Sequence, residues 1–367
     1  MMAKRVLIVM TTALGLDGIS SMVLNHFKHF HADQLEYEFV IWNEAPDDLR
    51  SEIESRGGII HTLPLRTKKP LQYYRALKRL MLERSYSIIH AQGNSSTLYL
   101  EMLAAKRAGI PNRIPHSHNS MCSYLTLHKL LKNRFSQSYT HAFACSKKAG
   151  DWLFRGPYEI VNNGIELEKF TFKSEIRDQL RSAFGLNGKK VVGHVGNYNY
   201  AKNHDFLIDI FAALVNRDDT YRLILVGAGE LMETVRQKIK KLELNAYVLI
   251  LGPRTDAPDL FQAMDCLVMP SRFEGLPLVL VEAQASGVPC VVSDQITQEI
   301  NITDLLTYVP LEKDPEQWAG IIAGLPRQDR CRKSIEAGEK LRNAGYDIKL
   351  EARKLENRYL DLIERSQ

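Results

Sequence analysis

Short runs of aliphatic and β-branched residues alternate with stretches of helical periodicity along most of the chain. The runs are four to six residues long and mostly apolar, which is typical of strands buried on both faces of a sheet. Strands of this kind, joined by helices, build parallel sheets with right-handed crossovers. The predicted strands are Arg5–Met10, Tyr37–Trp42, Gly58–Leu63, Tyr86–Ala91, Arg113–His118, His141–Ser146, Tyr158–Val161, Val191–Val195, Arg222–Val226, Tyr247–Leu251, Cys266–Pro270 and Pro289–Ser293.

The intervening stretches repeat apolar residues at the spacing of a helix with one buried face. The predicted helices are Ser20–Phe30, Leu71–Glu83, Thr97–Ala108, His204–Asn216, Glu230–Leu242, Ala257–Ala263 and Leu278–Ser286, followed by a charged helical region from Asp329 onward. The alternation weakens over residues 162–190, which we interpret as the connection between two domains. Because 367 residues also exceed one ordinary core, the sequence predicts an α/β fold of two doubly wound domains.

Composition excludes several classes of protein. Apolar residues make up 45% and charged residues 25% of the chain, the balance of a globular protein rather than a disordered or collagenous one. No apolar run approaches the roughly 20 residues that cross a bilayer, and the run after Lys4 is too short for a signal peptide, so we assign it to a strand. The five cysteines form no Cys-x-x-Cys pair, so we expect neither a zinc site nor a disulfide framework. We therefore expect a cytoplasmic protein.

The formal charge of +5 is unevenly distributed. Residues 1–170 contain 22 Lys and Arg against 15 Asp and Glu, whereas the remainder contains 26 against 28. Nucleic acid is a poor partner because no recognition motif accompanies this mild excess. Basic and apolar residues cluster over 66–83 and 125–135, which is compatible with an anionic membrane surface or with an ordinary solvated face.

Several predicted strands of the second half end in glycine or a polar residue. These ends carry Gly196 and Asn197, Gly227 and Gly229, Gly252, and Gly275, and Lys202 follows the first of them. Glycine lets a ligand approach the backbone, and the amides that open the next helix attract phosphate. Since ligands bind beyond the carboxyl ends of parallel strands, the pattern indicates a nucleotide or phosphate site. The third glycine of a dinucleotide fingerprint is missing, so the pattern does not favour NAD.

The segment Phe273–Glu282 carries two carboxylates around the start of a predicted helix. Glu274 lies just before the helix, where it faces the ligand edge of the sheet, and Pro277 suits the first helical turn. Glu282 follows Glu274 by eight residues, about two turns, so both can point to the same side. A carboxylate in so apolar a helix is costly without a partner, which favours a ligand role over a surface role.

These residues resemble the Glu-x7-Glu motif of the retaining glycosyltransferases of family 4, whose GT-B fold has two Rossmann-like domains facing across a crevice. The similar segments are Ile114–Asn119, Ala144–Phe154, Val161–Glu166, Gly196–His204 and, most closely, Ala263–Asp294. The resemblance spans nearly the whole chain and is greatest to the bacterial branch that builds exopolysaccharide and capsule repeat units. It implies an acceptor-binding domain over 1–170, a nucleotide-sugar domain over 171–345, and a C-terminal helix over 346–367 that packs back toward the first domain.

For the second domain, the resemblance implies a donor site, usually for a UDP-sugar. Glu282 would hold the ribose hydroxyls, Glu274 would bind hydroxyls of the donor sugar, and Lys202 would neutralise the β-phosphate of the leaving UDP. The other donor-binding residues that it implies are Asn197, Gly229, Glu230, Gly252, Arg254, Gly275, Leu276, Pro277, Leu278 and Val279.

For the first domain, Gly18 matches the glycine-rich loop that approaches the diphosphate. His118 matches the histidine beside the reacting carbon, which makes it the third catalytic candidate after Glu274 and Lys202. His116 and Asn119 are implied on the acceptor side. No Asp-x-Asp metal motif is present, so we expect no metal and no cofactor beyond the UDP-sugar.

Two positions depart from the family pattern. Asn197 stands where a basic residue is usual, and Asp17 replaces one glycine of the pair at the first loop. A carboxylate beside a diphosphate would repel it unless turned away, so Arg254 or Arg272 would have to compensate.

The implied acceptor is a glycan or lipid-linked saccharide, and the enzyme would then be cytoplasmic and peripheral on the inner leaflet of the membrane. Two alternatives remain open at this point. One is a UDP-sugar epimerase of the same fold, and the other is a non-catalytic subunit that binds nucleotide-sugars.

Overall fold

The computed structural model describes residues 4–15 and 17–366, which divide into two compact units. Unit 1 comprises residues 4–164 and 348–366, and unit 2 comprises residues 165–347. The first boundary falls at 164/165 where the sequence predicted 170/171, because Ile165, Leu167 and Phe170 pack in the core of unit 2. The final helix belongs to unit 1.

Unit 1 is a parallel sheet of seven strands covered by helices. Its strands are β1 (Lys4–Met10), β2 (Leu35–Ile41), β3 (Ile59–Thr62), β4 (Ile88–Gln92), β5 (Asn112–Ser117), β6 (Phe143–Ala144) and β7 (Glu159–Ile160). Its helices are α1 (Gly18–Lys28), α2 (Asp47–Ser55), α3 (Pro70–Arg84), α4 (Tyr99–Arg107), α5 (Leu125–Ser136), α6 (Lys147–Leu153) and α15 (Ile348–Arg365). The spatial order is β3-β2-β1-β4-β5-β6-β7.

Unit 2 repeats this plan with six strands. The strands are β8 (Lys190–Val195), β9 (Tyr221–Val226), β10 (Val248–Gly252), β11 (Cys266–Met269), β12 (Cys290–Ser293) and β13 (Leu306–Val309). The helices are α7 (Leu167–Phe170), α8 (Ser174–Ala183), α9 (His204–Arg217), α10 (Met232–Lys241), α11 (Ala257–Ala263), α12 (Leu278–Ala285), α13 (Pro315–Ala323) and α14 (Arg330–Asn343). The order is β10-β9-β8-β11-β12-β13, again parallel.

The central strands are apolar because both of their faces are covered. Side chains alternate across a strand, so Val6 and Ile8 pack in one core cluster of unit 1 while Leu7 and Val9 pack in the other. All four are almost completely buried. The strand order reverses beside β1 in unit 1 and beside β8 in unit 2, and the carboxyl ends on either side of such a reversal form the usual ligand position in doubly wound sheets. The predicted α/β class with two doubly wound sheets is confirmed.

Strand β13 was not among the predicted strands. It lies at the edge of the unit 2 sheet, paired only with β12, and Val309 alone of its residues is fully buried. An edge strand is less shielded from water than a central strand. Its residues are therefore less uniformly apolar, and the sequence pattern that marks a central strand is less clear there. None of the helices in the described part of the chain combines the length and the hydropathy that a bilayer crossing requires.

Helix α15 is attached to unit 1 by a buried carboxylate. Glu356 accepts hydrogen bonds from the backbone amides of His31 (2.8 Å) and Ala32 (3.0 Å) and from the Tyr37 hydroxyl (2.9 Å). Tyr359, one turn further on, donates to or accepts from His90 Nδ1 at 2.6 Å. These bonds join residues more than 250 positions apart and fix the register of α15 on the domain.

Replacing Glu356 by Ala should lower the free energy of unfolding of unit 1 by about 3 kcal/mol, because two backbone amides and the buried Tyr37 hydroxyl would lose their acceptor. Urea denaturation measures the change. Glu364→Ala is the matched control, since Glu364 lies exposed on the same helix. Equal unfolding midpoints for the two variants would contradict the anchoring role of Glu356.

Candidate functional site

Three loops of unit 2 pack closely at the carboxyl ends of β8, β9 and β10. The Gly196 amide donates to Val226 O, the Gly227 amide to Gly252 O, and the Tyr198 amide to Ala228 O, at 2.8 to 2.9 Å. Gly227 and Gly229 have positive φ, and a Cβ on them would lie 2.1 Å from Gly196 O and 2.5 Å from Tyr198 O. Neighbouring backbone therefore requires glycine at these two positions whether or not a ligand approaches.

Lys202 lies in the loop between β8 and α9, with its side chain folded over Gly196. A Cβ at Gly196 would lie 2.9 Å from Lys202 Cε, so the missing side chain makes room for the lysine stem. Lys202 Nζ lies 2.9 Å from Glu274 Oε1, and the two side chains are only 15% and 12% exposed. An ion pair so shielded from water leaves a strongly destabilised charge when either partner is removed.

Glu282 lies in the second turn of α12, near enough to Lys202 for the charge of that lysine to act on its carboxyl. Burial raises the pKa of its carboxyl to about 7, and the positive charge of Lys202 opposes that rise. No donor in the described part of the chain hydrogen-bonds to this carboxylate. The structure thus brings Lys202, Glu274 and Glu282 together, and the third member is the one without a protein partner.

The amino end of α12 opens beside these groups. Pro277 is the residue directly before the helix rather than within its first turn, and its carbonyl accepts from the Leu280 amide at 3.0 Å. No side chain caps this end, and the first turn contains no acidic residue. Amides that lack an internal acceptor, combined with the helix dipole, make such an end attractive to a phosphate.

The two arginines that the sequence analysis proposed as compensating charges already have partners. Arg254 forms a double contact with Asp256, at 2.8 and 2.5 Å, which raises the pKa of its guanidinium and pairs its positive charge with a carboxylate. Arg272 stacks on the Tyr200 ring at 4.4 Å and donates to Tyr200 O at 3.0 Å. Asn197 is exposed. Lys202, whose side chain is mostly buried beside Glu274, is therefore the cation that we place at this site.

The Asp17 side chain folds over the start of α1, the helix that follows it. Its Oδ1 accepts from the Ile19 and Ser20 amides, at 2.8 and 3.1 Å, and its Oδ2 accepts from Ser20 Oγ at 2.8 Å. This carboxylate caps α1, so it is turned toward the start of the helix by the donors that surround it. A Cβ on the adjacent Gly18 would meet nothing within 4 Å, which shows that open space lies over the helix start.

His118 directly follows β5 in unit 1. Its Nε2 lies 2.7 Å from Gln92 Oε1, and its backbone amide donates to Asn94 Oδ1 at 3.1 Å. Burial lowers the pKa of its imidazole to about 3, so the ring is neutral at physiological pH. Asn119 follows in a partly exposed loop, where its Oδ1 accepts from the Ser120 amide.

His116 needs a correction, because the resemblance placed it on the acceptor side. The residue has no exposed surface, and its Nδ1 pairs with His90 Nε2 at 3.1 Å. Its ring stacks on that of His118 with centroids 4.2 Å apart. A fully buried ring cannot contact an acceptor, so His116 supports His118 instead.

Gln92 and Asn94 contact His118 from the end of β4 and the loop after it, and neither was among the predicted site residues. The available signal was a polar residue and a glycine, Gln92-Gly93, closing an apolar strand. Among the described residues, no group of three or more His, Cys, Asp or Glu side chains has an arrangement that would hold a metal ion.

Two family models match the chain, one in each half. The model described as Glycosyltransferase Family 4 matches residues 16–169, and the one described as Glycosyl transferases group 1 matches residues 189–327. The second match includes Lys202, Glu274 and Glu282.

Related proteins are similar over most of their length. The Bacillus subtilis protein named glycosyltransferase EpsF is 32% identical, and the alignment covers 97% of this chain and 96% of that one. An Escherichia coli UDP-Gal:alpha-D-GlcNAc-diphosphoundecaprenol alpha-1,3-galactosyltransferase is 26% identical over 76% of each chain. Anabaena HepE, solved in complex with UDP, superimposes with a TM-score of 0.78 at 19% identity, over 98% of this chain and 100% of that one. The chain is therefore a member of glycosyltransferase family 4, a group 1 glycosyltransferase with the GT-B fold.

Proposed function

We propose that this enzyme transfers a sugar, with retention of configuration and without a metal ion, from a UDP-sugar to a glycan or lipid-linked saccharide during extracellular or capsular polysaccharide synthesis. The observation that carries the proposal is the grouping of Lys202, Glu274 and Glu282 beside the uncapped end of α12. The relatives support the substrate classes. The E. coli relative is named for UDP-galactose and a diphosphoundecaprenol-linked saccharide, and HepE was solved with UDP-glucose.

The Lys202–Glu274 pair favours a complete nucleotide-sugar over free UDP. A diphosphate that approaches Lys202 competes with Glu274 for the cation, which leaves that carboxylate in need of donors. The hydroxyls of an attached sugar supply those donors. A UDP-sugar therefore satisfies both members of the pair at once, whereas UDP satisfies only the lysine.

The negative charge that develops on the diphosphate explains how Lys202 and the start of α12 would lower the barrier to sugar transfer. Breaking the glycosidic bond to UDP places negative charge on the departing phosphate and positive charge on the sugar. Lys202 and the amides at the start of α12 are fixed near the phosphate before reaction, so they need little reorganisation as charge develops. In this proposal they do the work of a metal ion, and transfer should continue in the presence of EDTA.

Glu282 fits the ribose because it is a carboxylate without a protein donor. The two hydroxyls of a ribose can both donate to it, which stabilises its charged form and lowers its raised pKa. Binding of UDP should then release a proton near neutral pH.

Unit 1 carries a surface suited to an acceptor that is held in a membrane. Five large apolar side chains are 44% to 74% exposed within ten residues, namely Met121, Tyr124, Leu125, Leu127 and Leu130. Lys129 and Arg134 are exposed on the same segment, which has no acidic residue between 119 and 136. Apolar and basic side chains together suit an interface with anionic lipid, so we propose a cytoplasmic enzyme peripheral on the inner leaflet.

A donor screen followed by product analysis tests the function. Thermal-shift measurements against UDP-, GDP- and ADP-sugars should give the largest stabilisation with a UDP-sugar. Transfer to a lipid-linked saccharide is then followed by mass spectrometry in EDTA. An epimerised free nucleotide-sugar would identify an epimerase. Binding without turnover would identify a non-catalytic subunit. The capping role of Asp17 makes that second alternative weaker, because Asp17 was one of the two reasons for it.

Lys202→Ala and Glu274→Ala should each lower the transfer rate at least tenfold, about 1.4 kcal/mol of barrier, because each removes one member of the donor pair. Steady-state kinetics with saturating donor measures the effect. Lys241→Ala, at the exposed end of α10, is the control and should retain the wild-type rate. Near wild-type turnover in either site variant would refute the role assigned to it.

Glu282→Gln should stabilise the fold above pH 7 while weakening UDP binding at least tenfold. With a native pKa near 7 and an unfolded value near 4.5, the wild-type carboxyl holds more protons when folded, so its contribution to stability falls as pH rises through this window. The variant should gain about 2 kcal/mol at pH 8 and almost nothing at pH 4, after allowance for partial exposure. Parallel stability curves from pH 4 to 8 would contradict this.

Leu127→Glu combined with Leu130→Glu should weaken binding to phosphatidylglycerol-containing vesicles at least tenfold, since two exposed apolar contacts would become anionic. Co-sedimentation at physiological salt measures the binding. Ile335→Glu, 55% exposed on α14 of unit 2, is the matched control and should bind like wild type. Absence of vesicle binding by the wild-type protein would refute the membrane surface.

A further inference from the structure

A cavity of about 790 Å³ opens at the amino ends of the strands of unit 2. Its lining includes the first residue of three strands, namely Lys190 of β8, Tyr221 of β9 and Cys266 of β11. Lys202 and Glu274 follow the opposite, carboxyl ends of β8 and β11, and a strand of six residues such as β8 spans roughly 20 Å. The cavity is therefore separate from the proposed donor site, and its volume is typical of sites for small molecules.

Positive charge dominates the lining of this cavity. Six basic residues face two acidic residues there, whereas the chain from residue 171 onward contains slightly more acidic than basic residues. The basic residues are Arg177, Arg181, Lys189, Lys190, Arg327 and Arg330, and the acidic residues are Asp218 and Asp265. A concave surface with such an excess of one sign attracts ligands of the opposite charge.

The inner wall holds three guanidinium groups around a single carboxylate. Arg177 Nη2 lies 2.5 Å from Asp265 Oδ1, and Arg181 Nη1 lies 3.2 Å from Asp265 Oδ2. Arg330 donates to backbone carbonyls at the end of α11 and has no ion pair with a carboxylate in the described part of the chain. Burial, together with the charge of Arg177, lowers the pKa of Arg330 to about 9. This wall therefore has fixed positive charge that one carboxylate does not balance.

Two further cations line the cavity without a partner of their own. The side chains of Lys189 and Arg327 form neither an ion pair nor a hydrogen bond with any described residue, and Arg327 is exposed. Lys190 Nζ, by contrast, is paired with Asp218 Oδ2 at 2.9 Å, and it is near enough to Arg327 for the two positive charges to repel. A guanidinium and an ammonium that lack partners are suited to bind a phosphate group.

Gln328 adds a polar group that also lacks a partner. Its Oε1 is buried, yet no described residue donates a hydrogen bond to it. A ligand hydroxyl would supply the missing donor, because an amide oxygen accepts from O–H groups. Ile322, Leu325 and Pro326 provide apolar lining nearby, against which the carbon skeleton of a ligand can pack.

We propose that this cavity binds a small phosphate monoester that also carries hydroxyl groups, of the chemical class of a sugar phosphate. Lys189 and Arg327 contact the phosphate, and Gln328 accepts a hydrogen bond from a hydroxyl. A phosphate monoester carries about 1.5 to 2 negative charges at pH 7, which suits this excess of cations better than a single carboxylate does. The site goes beyond the proposed transfer of sugar and does not depend on it.

Calorimetric titration of the full-length protein tests the ligand class. Glucose 6-phosphate and glucose 1-phosphate serve as probes, with inorganic phosphate and glucose for comparison, and saturating UDP is present to occupy the donor site. At least one of the two sugar phosphates should bind several-fold more tightly than inorganic phosphate, and glucose should not bind. Absence of binding by both sugar phosphates at millimolar concentration would overturn the inference.

Two variants test the assigned contacts. Lys189→Ala combined with Arg327→Ala should weaken binding of the sugar phosphate at least tenfold, because both unpaired cations are lost. Gln328→Leu should weaken it several-fold while leaving the affinity for inorganic phosphate unchanged. Lys240→Ala combined with Lys241→Ala removes two exposed cations from α10 of the same unit and is the matched control, which should bind like wild type. Equal affinities for the two double variants would overturn the inference.

Hydrogen exchange locates the bound ligand. The sugar phosphate should protect backbone amides over residues 187–190 and 325–330 and should leave residues 273–280 unchanged. Protection confined to residues 273–280 would place the phosphate at the donor site and would also overturn the inference. A protein that binds the sugar phosphate in this cavity but transfers no sugar would refute the proposed function and leave the cavity's assignment intact.

Discussion

Burial of the central strands on both faces is the constraint on which the position of every reactive group depends. Strands β1 and β8 bury mostly apolar side chains on both sides, with His194 a buried polar exception in β8. Most groups that a ligand can reach therefore follow at the strand ends. Gln92 and His118 in unit 1, and Lys202 and Glu274 in unit 2, all lie at or just after the carboxyl ends of such strands. Rigid strands thereby hold groups that a ligand can still reach.

The two units handle charge in opposite ways. Unit 2 places a lysine against one carboxylate and leaves a second carboxylate without a donor, which suits a ligand that carries both a diphosphate and hydroxyls. Unit 1 surrounds His118 with neutral rings and a tyrosine, so charge is kept out by burial. Charge is therefore concentrated at the strand ends of unit 2 and kept away from His118 in unit 1.

Local sequence patterns predicted the fold class and the family correctly. The spacing of Glu274 and Glu282 predicted that both would face one side, and both do face Lys202. The strand runs predicted the parallel sheets, except for the edge strand β13, whose burial is too weak to mark it. The prediction for His116 was wrong because its side chain meets a residue distant in sequence: it is buried against His90.

By itself the sequence determined the α/β class and the family, because strand burial, helix spacing and the Glu-x7-Glu motif are all properties of short segments. The same motif predicted the donor-side residues, which remain part of the proposed function. Only the tertiary structure decided that Lys202 is paired with Glu274, that Glu356 fixes α15 on unit 1, and that Gln92 contacts His118. Each of these contacts joins separate elements. Their geometry follows from the packing of whole sheets and helices, which no local pattern specifies.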